Sequence, residues 1–532
     1  MDSWGRRASA APFGAGACVF LLSAVGRTYL SSRVFSRVKI AGDLRLTEFG
    51  LSLRSPTTSL LNYGRTLPNV VDWTDEYDFG NPRNFSPVTK WGTTVHYGLV
   101  TFIVTFASSI FSTATEVTSE LFGVSKDIMH LATALNVLGF AFGPLVFGPL
   151  SEVYGKTPLL LGLLVFCVFN IPVAVAANVE TILICRFIVG FGGAAPLAIV
   201  GGALVDLFLP IERGIAVCIF AGATFMGSIF GPIVGGFVTE SSLGWRWTAW
   251  LTLIPGAVLW AILLLFIPET YGPVILKRRA RELRFETGNW TFHGAIEEHR
   301  LELGDVAQRY LVRPIVMLCR QPILALVTVY MSLIYGILYL FFEAYPISFS
   351  AKRGWSLGVG TLPFLSLGLG IVLVGVVVLL HLRLRYAKIY EAAGKVPPEE
   401  RLIPMMFGSV ALAIGMFWFA WTSDPDIHWA PQVLASVPTG IGIMTIFIQG
   451  LVYIIDTYAQ LSNSAIAANV FLRSWVGAGF TMFATSMYNK LGVAWASSLP
   501  GFISISLIPV PFLFYKYGQV IRKKSRYAPI AD

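Results

Sequence analysis

Five ionisable residues lie within long apolar runs or near their ends, where a charge is costly unless it is paired or has a function. Arg186 opens the sequence Arg-Phe-Ile-Val-Gly, Glu343 stands in Phe-Phe-Glu-Ala-Tyr-Pro, and Arg473 stands in Phe-Leu-Arg-Ser. For Glu343 and Arg186, structural pairing and a role in ligand binding or proton coupling are equally compatible with the sequence. Asp206, Asp456 and Arg473 are expected first to anchor helix ends or loops, although Arg473 stays a candidate for binding or coupling.

Aromatic side chains accompany these residues. Phe342 and Tyr345 lie beside Glu343, and Phe106 lies in an earlier apolar run. Packing against lipid explains most aromatic residues in such runs. Beside Glu343, however, an apolar cavity that holds one acid would suit a bulky amphipathic or cationic ligand, bound by burial and by cation–π contact.

A short polar segment that begins at Gly148 separates two apolar runs. Within it, Glu152 could meet an opposing helix N-terminus or a basic side chain, and Lys156 supplies one base. Gly155 and Lys156 precede a threonine, as in a phosphate-binding loop, but that motif requires glycine where Leu150 stands. The segment therefore predicts a compact turn that holds two helix ends together, and ATP binding is unsupported.

Gly227, Gly231 and Gly235 recur every four residues in one apolar run, with Pro232 and Gly236 beside them. This spacing places the three glycines on one helix face, where another backbone can approach closely, and Pro232 removes a helical hydrogen bond and bends the helix. Simple tight packing is one interpretation. The other is a seam between two halves of the protein that closes against leakage.

The elements that would position these residues are long apolar helices. Hydrophobic residues make up 55% of the 532 residues and charged residues only 13%, which is typical of membrane proteins. A bilayer core needs roughly 20 apolar residues per helix. Runs near that length occupy about 93–112, 131–150, 157–177, 181–208, 215–238 and 247–267, and then about 322–348, 359–382, 402–421, 431–456, 464–487 and 493–515.

Twelve runs, separated midway by one long hydrophilic connection, predict an all-α integral membrane fold with twelve transmembrane helices in two pseudo-symmetric six-helix bundles. The predicted parts are an N-terminal tail (1–90), a first bundle (91–267), a middle loop (268–321), a second bundle (322–517) and a C-terminal tail (518–532). The tail is expected to hold little packed structure. Residues 1–40 include a short apolar stretch that fits a targeting segment, an interfacial anchor or a mispredicted first exon.

Lys and Arg are concentrated in the middle loop and in the loops and tails on its side of the membrane. Because basic loops stay in the cytoplasm, both termini are predicted to be cytoplasmic. The sequons at Asn84 and Asn289 would then face the cytoplasm and carry no glycan. The net charge of +9 resides mostly in these loops and ends, so we expect no binding of nucleic acid.

Soluble-enzyme chemistry has little support in the sequence. Four of the five cysteines lie in apolar runs, and the six histidines, which fall in loops and near the ends of runs, show no metal-ligand spacing. No Gly-x-Ser-x-Gly motif and no dinucleotide-binding glycine pattern occurs in a suitable context. We therefore expect neither an enzyme nor a bound metal or cofactor.

In these motifs the sequence resembles the major facilitator superfamily and, within it, the fungal twelve-span drug:proton antiporters, from about residue 82 to 528. The segment after the second run is similar to the superfamily's loop signature at Glu152, Gly155 and Lys156. It departs from that signature at Thr157, where a second basic residue is usual, and at Val153, where many members carry arginine.

Two further motifs carry the resemblance. Arg186 and Gly190 match the fourth-span signature, in which the arginine is implicated in proton coupling. The face from Gly227 to Gly236 matches the antiporter signature of the fifth span and is the most specific of these motifs. The segments 81–86, 268–271, 342–346 and 472–474 are similar to the fungal branch.

The resemblance implies a transporter whose two bundles rock about a central cavity and export a small organic molecule, such as a drug, toxin or secondary metabolite, against inward proton flow. Glu343 would be a protonatable or cation-sensing group, with Arg186 as its counterpart in the first bundle. Glu152 with Lys156 would latch one side, and the glycine face would seal the bundles. A monomer in the plasma membrane is expected, with the substrate, protons and lipid as its partners.

Two alternatives stay open. An importer of a nutrient, polyamine or siderophore would use the same fold, and only the antiporter-like glycine face argues against it. A membrane receptor or enzyme would need no transport, but an enzyme should show clustered histidines or carboxylates, which this sequence lacks.

Overall fold

The computed structural model describes residues 69–298, 312–393, 396–458 and 461–523. All the elements below belong to one compact unit of the chain. The predictions for residues 1–40 and for the end of the C-terminal tail lie outside the described residues.

Seven helices of the described chain precede the middle loop. They are α1 (Pro87–Ile110), α2 (Thr115–Phe122), α3 (Lys126–Tyr154), α4 (Thr157–Ala174), α5 (Val179–Leu207), α6 (Pro210–Glu240) and α7 (Trp247–Leu265). A short 3-10 helix, Phe111–Ala114, joins α1 to α2, so the two form one continuous helical stretch of 36 residues. The Ser86 hydroxyl accepts a hydrogen bond from the Thr89 amide at the start of α1, and Gly123 ends α2 in the left-handed conformation with φ 64°.

The described part of the middle loop holds α8 (Gly272–Thr287), and ten helices follow it. They are α9 (Arg313–Arg320), α10 (Pro322–Tyr345), α11 (Leu357–Thr361), α12 (Phe364–His381), α13 (Ala387–Ala393), α14 (Leu402–Trp421), α15 (Trp429–Leu434), α16 (Ser436–Thr457), α17 (Ser462–Leu507) and α18 (Pro509–Lys523). Proline opens α10 and α18, where its missing N–H costs no hydrogen bond.

Eleven helical stretches of the described chain are long and apolar enough to cross a membrane. The last of them, Ser464–Lys523, is 60 residues long, far more than one crossing needs. Gly492 interrupts it with φ 74° and ψ 166°, so it consists of two helices that meet at a sharp turn. The predicted all-α membrane fold, with twelve membrane helices, is therefore confirmed.

Small residues let these helices approach closely. α3 packs along α5, and α1 packs along α6. A β-carbon at Gly190 in α5 would overlap the Asn136 carbonyl in α3, and the Asn136 side-chain amide donates to the Arg186 carbonyl at 3.0 Å. Lipid supplies no hydrophobic drive between helices, so close packing and buried hydrogen bonds of this kind hold them together.

The two ends of the helix assembly carry different loops. Residues 155–156, 268–298 and 396–401 lie at one end, which we call the middle-loop face. Residues 123–125 and 241–246 lie at the other end, which we call the opposite face.

The segment before α1 is ordered and packs on the middle loop. The Val71 amide donates to the His293 carbonyl at 2.9 Å, and the His293 amide donates to the Asn69 carbonyl at 3.0 Å. Residues 69–86 therefore differ from the predicted tail with little packed structure, because backbone pairing with a distant loop holds them.

An ion pair fastens the same segment to α8. Arg279 donates to the Asp78 carboxylate at 2.5 Å and to the Thr74 hydroxyl at 2.9 Å. Burial by itself would raise the pKa of Asp78, but hydrogen bonds from the Thr74 amide, Arg279 and the Gly80 amide outweigh it and lower the pKa to about 2.

Candidate functional site

A cavity of about 310 Å³ lies among α3, α5, α6, α16 and α17. It extends from Arg473 and Phe447, in the middle of the helices, to Glu152, Lys156 and Glu269 at the middle-loop face. This volume is at the low end of the range for small-molecule sites. Helices from before and after the middle loop line the cavity together, so it is the candidate binding site.

Arg473 lies at the deep end of this cavity. Only 6% of its surface is exposed, and its guanidinium lies over the rings of Tyr335, at 5.2 Å, and Phe447, at 4.9 Å. In the described chain it makes no ion pair, and its Nε is buried without a hydrogen-bond partner. The anchoring role first expected for Arg473 is therefore wrong, because the cation faces the cavity unpaired.

A chain of hydroxyl groups runs along α10 beside this arginine. The Tyr335 hydroxyl lies 3.5 Å from the Tyr339 hydroxyl, which lies 3.2 Å from the Ser108 hydroxyl in α1. All three residues are buried. This chain joins helices from the two parts of the protein in its interior.

Arg186 lies at the far end of that chain but outside the cavity lining. It donates to three backbone carbonyls, those of Ala107 at 2.8 Å, Ser108 at 3.4 Å and Ala132 at 3.4 Å, and it lies 4.9 Å from the Phe111 ring. Its hydrogen bonds hold α1 and α3 to α5. The predicted role of Arg186, as the counterpart of Glu343 that tunes protonation or substrate contacts in the first bundle, stays a prediction.

Glu343 pairs instead with His130 of α3. His130 Nδ1 lies 3.2 Å from Glu343 Oε1, and the Thr485 hydroxyl of α17 lies 3.3 Å from Glu343 Oε2 and 3.2 Å from His130 Nε2. The His130 and Glu343 side chains are only 5% and 12% exposed. The three side chains join α3, α10 and α17 toward the opposite face, beyond the closed end of the cavity.

Each polar atom of this group faces a partner. The Thr485 hydroxyl can donate its one proton to Glu343 and accept from Nε2–H of His130, while Nδ1 faces the other carboxylate oxygen. This geometry accommodates an imidazolium–carboxylate pair, in which both ring nitrogens of His130 donate.

His130 is the residue that sequence reasoning missed. It directly precedes the second apolar run, about 131–150, so the sequence places it at the end of a membrane helix rather than inside one. The helix begins earlier, because the Ser125 hydroxyl caps it and Asp127 lies in its first turn. This serine and acid pattern was visible in the sequence and would have placed His130 more than a turn inside α3.

The aromatic residues beside Glu343 line no part of the cavity and pack against other helices. The Tyr345 hydroxyl donates to the Ser436 hydroxyl at 2.6 Å, and its ring meets Phe364 edge-on at 4.5 Å. Phe342 lies 5.7 Å from Phe364 as well. The expected cavity around Glu343, suited to a cation, is thus replaced by a packed core with an internal ion pair.

The glycine face of α6 packs within the amino-terminal helices. A β-carbon at Gly227 would meet the Phe102 carbonyl of α1, and one at Gly231 would meet the Ser109 hydroxyl and the carbonyl of Phe106. A β-carbon at Gly235 would meet the carbonyl of Ile110 in the same helix α1. The predicted seam between the halves is therefore wrong for these three glycines, since their common face meets α1.

Gly236 is the member of the motif that faces the other half. A β-carbon there would lie 3.1 Å from Gly358 and from the Thr361 hydroxyl in α11. Pro232 lies within α6, one turn before it. One residue advances a helix by about 100°, so Gly236 points away from the face of Gly235 and meets a different neighbour. The carboxylate of Glu240, at the end of α6, accepts hydrogen bonds from the Leu357 and Gly358 amides at the start of α11.

The polar turn after α3 is held by an acid that follows α7. The Lys156 amide donates to both oxygens of Glu269, at 3.2 and 3.1 Å, and the Lys156 ammonium donates to the Ile267 carbonyl. Gly155 has φ 62° and lies against the Glu269 carboxylate. Burial lowers the pKa of Lys156, and Glu269 acts in the opposite direction.

Gly148 and Glu152 line the cavity beside this turn. The latch predicted for Glu152 with Lys156 stays a prediction, and the acid that the Lys156 amide contacts is Glu269, in the segment 268–271 that resembles the fungal branch. The contacts of Lys156 stay within the amino-terminal helices.

Asp456 bridges the two parts of the chain at the middle-loop face. It pairs with Arg401, which precedes α14, at 3.2 Å and with Arg213 of α6 at 3.6 Å. The Arg401 guanidinium also stacks 4.0 Å above the Tyr386 ring. Asp456 therefore does anchor a helix end, as expected, and it also ties α16 to α6. Asp206 lies in the cavity lining near the end of α5.

Comparisons with known proteins agree with this architecture. The family model of the Major Facilitator Superfamily matches residues 97–482. A citrinin biosynthesis cluster MFS transporter of Monascus ruber is 51% identical over 462 residues, which cover 86% of this chain and 92% of that protein. An MFS-type efflux pump of Trichophyton rubrum is 41% identical, over 87% of this chain and 78% of that protein.

Solved structures show the same fold. The proton:xylose symporter XylE, bound to 6-bromo-6-deoxy-D-glucose, matches with a TM-score of 0.58 at 15% identity, over 81% of this chain and 96% of that chain. The family and these relatives are transporters rather than enzymes, and the twelve apolar helices make the protein a multi-pass membrane protein. With a family model that covers most of its length and a relative at 51% identity, the chain belongs to the Major Facilitator Superfamily.

Proposed function

We propose that this protein exports a small organic secondary metabolite in exchange for protons, by alternating access between two six-helix bundles (91–267 and 322–517). The middle-loop face is the cytoplasmic face, both termini lie in the cytoplasm, and the protein acts as a monomer in the plasma membrane. The names of two relatives support this reading, because one belongs to a biosynthesis cluster and the other is an efflux pump.

The observation that carries the proposal is the asymmetry of the two faces. The cavity reaches the middle-loop face, whereas Glu240 with α11 and Glu343 with His130 join the bundles toward the opposite face. A state that loads from the cytoplasm has this form. Release to the outside requires these contacts to break and the Asp456 bridge to tighten.

The proton would act on the ion pair between Glu343 and His130. When α3 and α10 separate on the outside, the carboxylate loses its cation and meets external water, where it takes up a proton. Neutral Glu343 no longer attracts His130 by charge, so a high external proton concentration favours the open external face. On closure the contact with the His130 imidazolium favours the carboxylate again, so Glu343 releases that proton toward the cytoplasm and the imidazolium–carboxylate pair forms once more.

The hydroxyl chain supports a path for that proton toward the cytoplasm. Tyr339 lies one helical turn, and Tyr335 two turns, from Glu343 toward the middle-loop face. Tyr335 in turn contacts Arg473 at the cavity. The proton released from the pair would thus reach the cavity in which the substrate binds.

Vesicle transport tests the direction and the coupling together. The gene is expressed in a yeast that lacks its own drug pumps, and a growth panel of fungal metabolites that includes citrinin identifies a transported compound. Inside-out vesicles should accumulate that compound when their lumen is acid and lose it when nigericin collapses the gradient. Accumulation in right-side-out vesicles, driven by external acid, would instead establish an importer.

A further inference from the structure

We propose that the cavity binds an organic anion, namely a planar aromatic carboxylate or enolate, and that Arg473 is the group that binds its charge. The inference rests on the proposed export function and names the substrate class for the same site. The charge of the ligand is opposite to the one that the sequence suggests, because the sequence predicts that the cavity holds the acid Glu343 and therefore suits a cationic ligand.

The state of Arg473 is unusual among the buried arginines of the described chain. Arg186 donates to three backbone carbonyls, and Arg401 pairs with Asp456. Arg473 is buried like these, yet in the described chain it makes no ion pair, its Nε is buried without a hydrogen-bond partner, and its guanidinium lies over two aromatic rings.

A buried guanidinium without an acceptor is costly, and arginine stays charged in proteins. A residue in this condition is tolerated where a ligand supplies the missing charge. Carboxylates match the planar fork of the guanidinium with two parallel hydrogen bonds, which makes them the fitting partner.

The distribution of charge along the cavity favours the same sign of ligand. The acids of the lining, Asp206, Glu152 and Glu269, lie near the middle-loop face, and the same lining holds the bases Lys156, Arg213 and Arg401. Arg473 lies about three turns into α17 from that face. A ligand that reaches the deep end thus leaves a mouth of mixed charge and meets the cation Arg473.

The walls around Arg473 suit a flat apolar body. Phe447 contacts the guanidinium and packs edge-on against Phe225 at 4.7 Å, and Phe220 and Val470 complete the wall. Aromatic faces take up planar rings by offset or edge contacts. The cavity volume of about 310 Å³ suits a molecule of two or three fused rings.

Equilibrium binding to the purified full-length protein in lipid nanodiscs tests this assignment without any gradient. The probes are 2-naphthoate, its neutral methyl ester and 2-naphthylmethylammonium, which share one ring system and differ in charge. We expect 2-naphthoate to bind most tightly. Arg473→Gln should weaken its binding roughly tenfold to a hundredfold, the usual worth of a charged hydrogen-bonded contact, and leave the ester unchanged.

Two more variants separate charge from folding. Arg473→Lys keeps a cation and should recover part of the affinity for 2-naphthoate. Arg246→Gln, at a partly exposed arginine on the opposite face, should change nothing. Size-exclusion profiles and melting temperatures show that each variant is folded.

The proposal is overturned if 2-naphthoate binds no more tightly than its ester, including the case in which neither binds. It is also overturned if Arg473→Gln weakens both probes equally. Transport of neutral compounds with an intact proton requirement would refute the anion site alone. Binding of 2-naphthoate that depends on Arg473, without any transport driven by a pH gradient, would refute the export function alone.

Discussion

His130 and Glu343 meet across the interface of the two bundles, with 3.2 Å between Nδ1 and Oε1, although 213 positions separate them in the sequence. The Thr485 hydroxyl contacts both side chains, which joins the three residues in one hydrogen-bond network. Because one member lies on α3 and the other on α10, any motion that opens the opposite face must break this pair. The pair is therefore the point at which the proposed coupling of conformation to protonation would act.

Neutralising this pair should uncouple transport. Glu343→Gln keeps the shape of the side chain and removes its charge, so we expect loss of accumulation driven by a pH gradient, while exchange of labelled for unlabelled substrate continues. His130→Gln should give the same result. Proteoliposomes with and without a gradient measure both activities, and Glu282→Gln, at an exposed acid of α8, is the control. Full gradient-driven accumulation by Glu343→Gln would refute the coupling role.

Neutralising either member of the pair should also reduce the stability of the protein. Removing one partner leaves the other charge buried and uncompensated, at a cost of about 3–5 kcal/mol. The double variant with Glu343→Gln and His130→Gln should lose less than the sum of the single losses. Melting temperatures in detergent give this double-mutant cycle, and additive losses would show that the two side chains do not interact.

The glycine face of α6 offers a matched test of helix packing. Gly231→Ala places a methyl group against the Ser109 hydroxyl and the Phe106 carbonyl, so we expect a loss of about 1–3 kcal/mol and reduced yield of folded protein. Gly222→Ala on the same helix meets only a methionine methyl group at 3.9 Å and should be neutral. Equal behaviour of the two variants in thermal unfolding would contradict the close approach of α1.

The turn at Gly155 should be intolerant of a side chain for two separable reasons. Gly155→Ala places a side chain on a backbone with φ 62° and ψ −126° and also pushes a β-carbon into the Glu269 carboxylate. Gly492→Ala, at φ 74° and ψ 166° with open space around it, is the control for the cost of a backbone that favours glycine. We expect the first variant to lose clearly more thermal stability than the second. Matching losses would show that the contact with Glu269 contributes nothing.

The clamp between Asp78 and Arg279 predicts a dependence on pH. The folded pKa of Asp78 is about 2, below its ordinary value near 4, so its ionised form stabilises docking above pH 4. That contribution is lost as the pH falls from about 4 to 2. Asp78→Asn should remove it at neutral pH and speed hydrogen exchange of the Thr74 and Gly80 amides at least tenfold. Unchanged exchange in this variant would show that the clamp does not hold the segment.

Thiol labelling tests the proposed orientation. Cys319 is exposed beside the middle-loop face, whereas Cys167, Cys185 and Cys218 are buried. In a Cys18→Ser background, a membrane-impermeant maleimide should label Cys319 only after cells are permeabilised. An added Ser242→Cys on the opposite face should be labelled in intact cells. The reverse pattern would invert the topology, and a glycan on Asn84 or Asn289 would do the same.

The sequence by itself determined the class of the protein. A helix must carry about 20 apolar residues to cross a bilayer, and this requirement is local, so counting runs was enough to predict twelve helices and the long connection between residues 268 and 321. The loop and glycine motifs are local as well, and they were sufficient to indicate the family. The acid Glu343 and the arginines Arg186 and Arg473 stood out because a charge in an apolar run is rare.

What each charged residue contacts was decided only by the tertiary structure. Glu343 pairs with His130, Arg186 binds the carbonyls of α1 and α3, and Arg473 faces the cavity with no ion pair to any described residue. The rotation of a helix about its axis fixes these partners, and that rotation depends on packing against helices hundreds of residues away. A shift of one residue turns a side chain by about 100°, as the different neighbours of Gly235 and Gly236 demonstrate. Apolar composition is nearly uniform around these helices, so it carries too little information to set that angle.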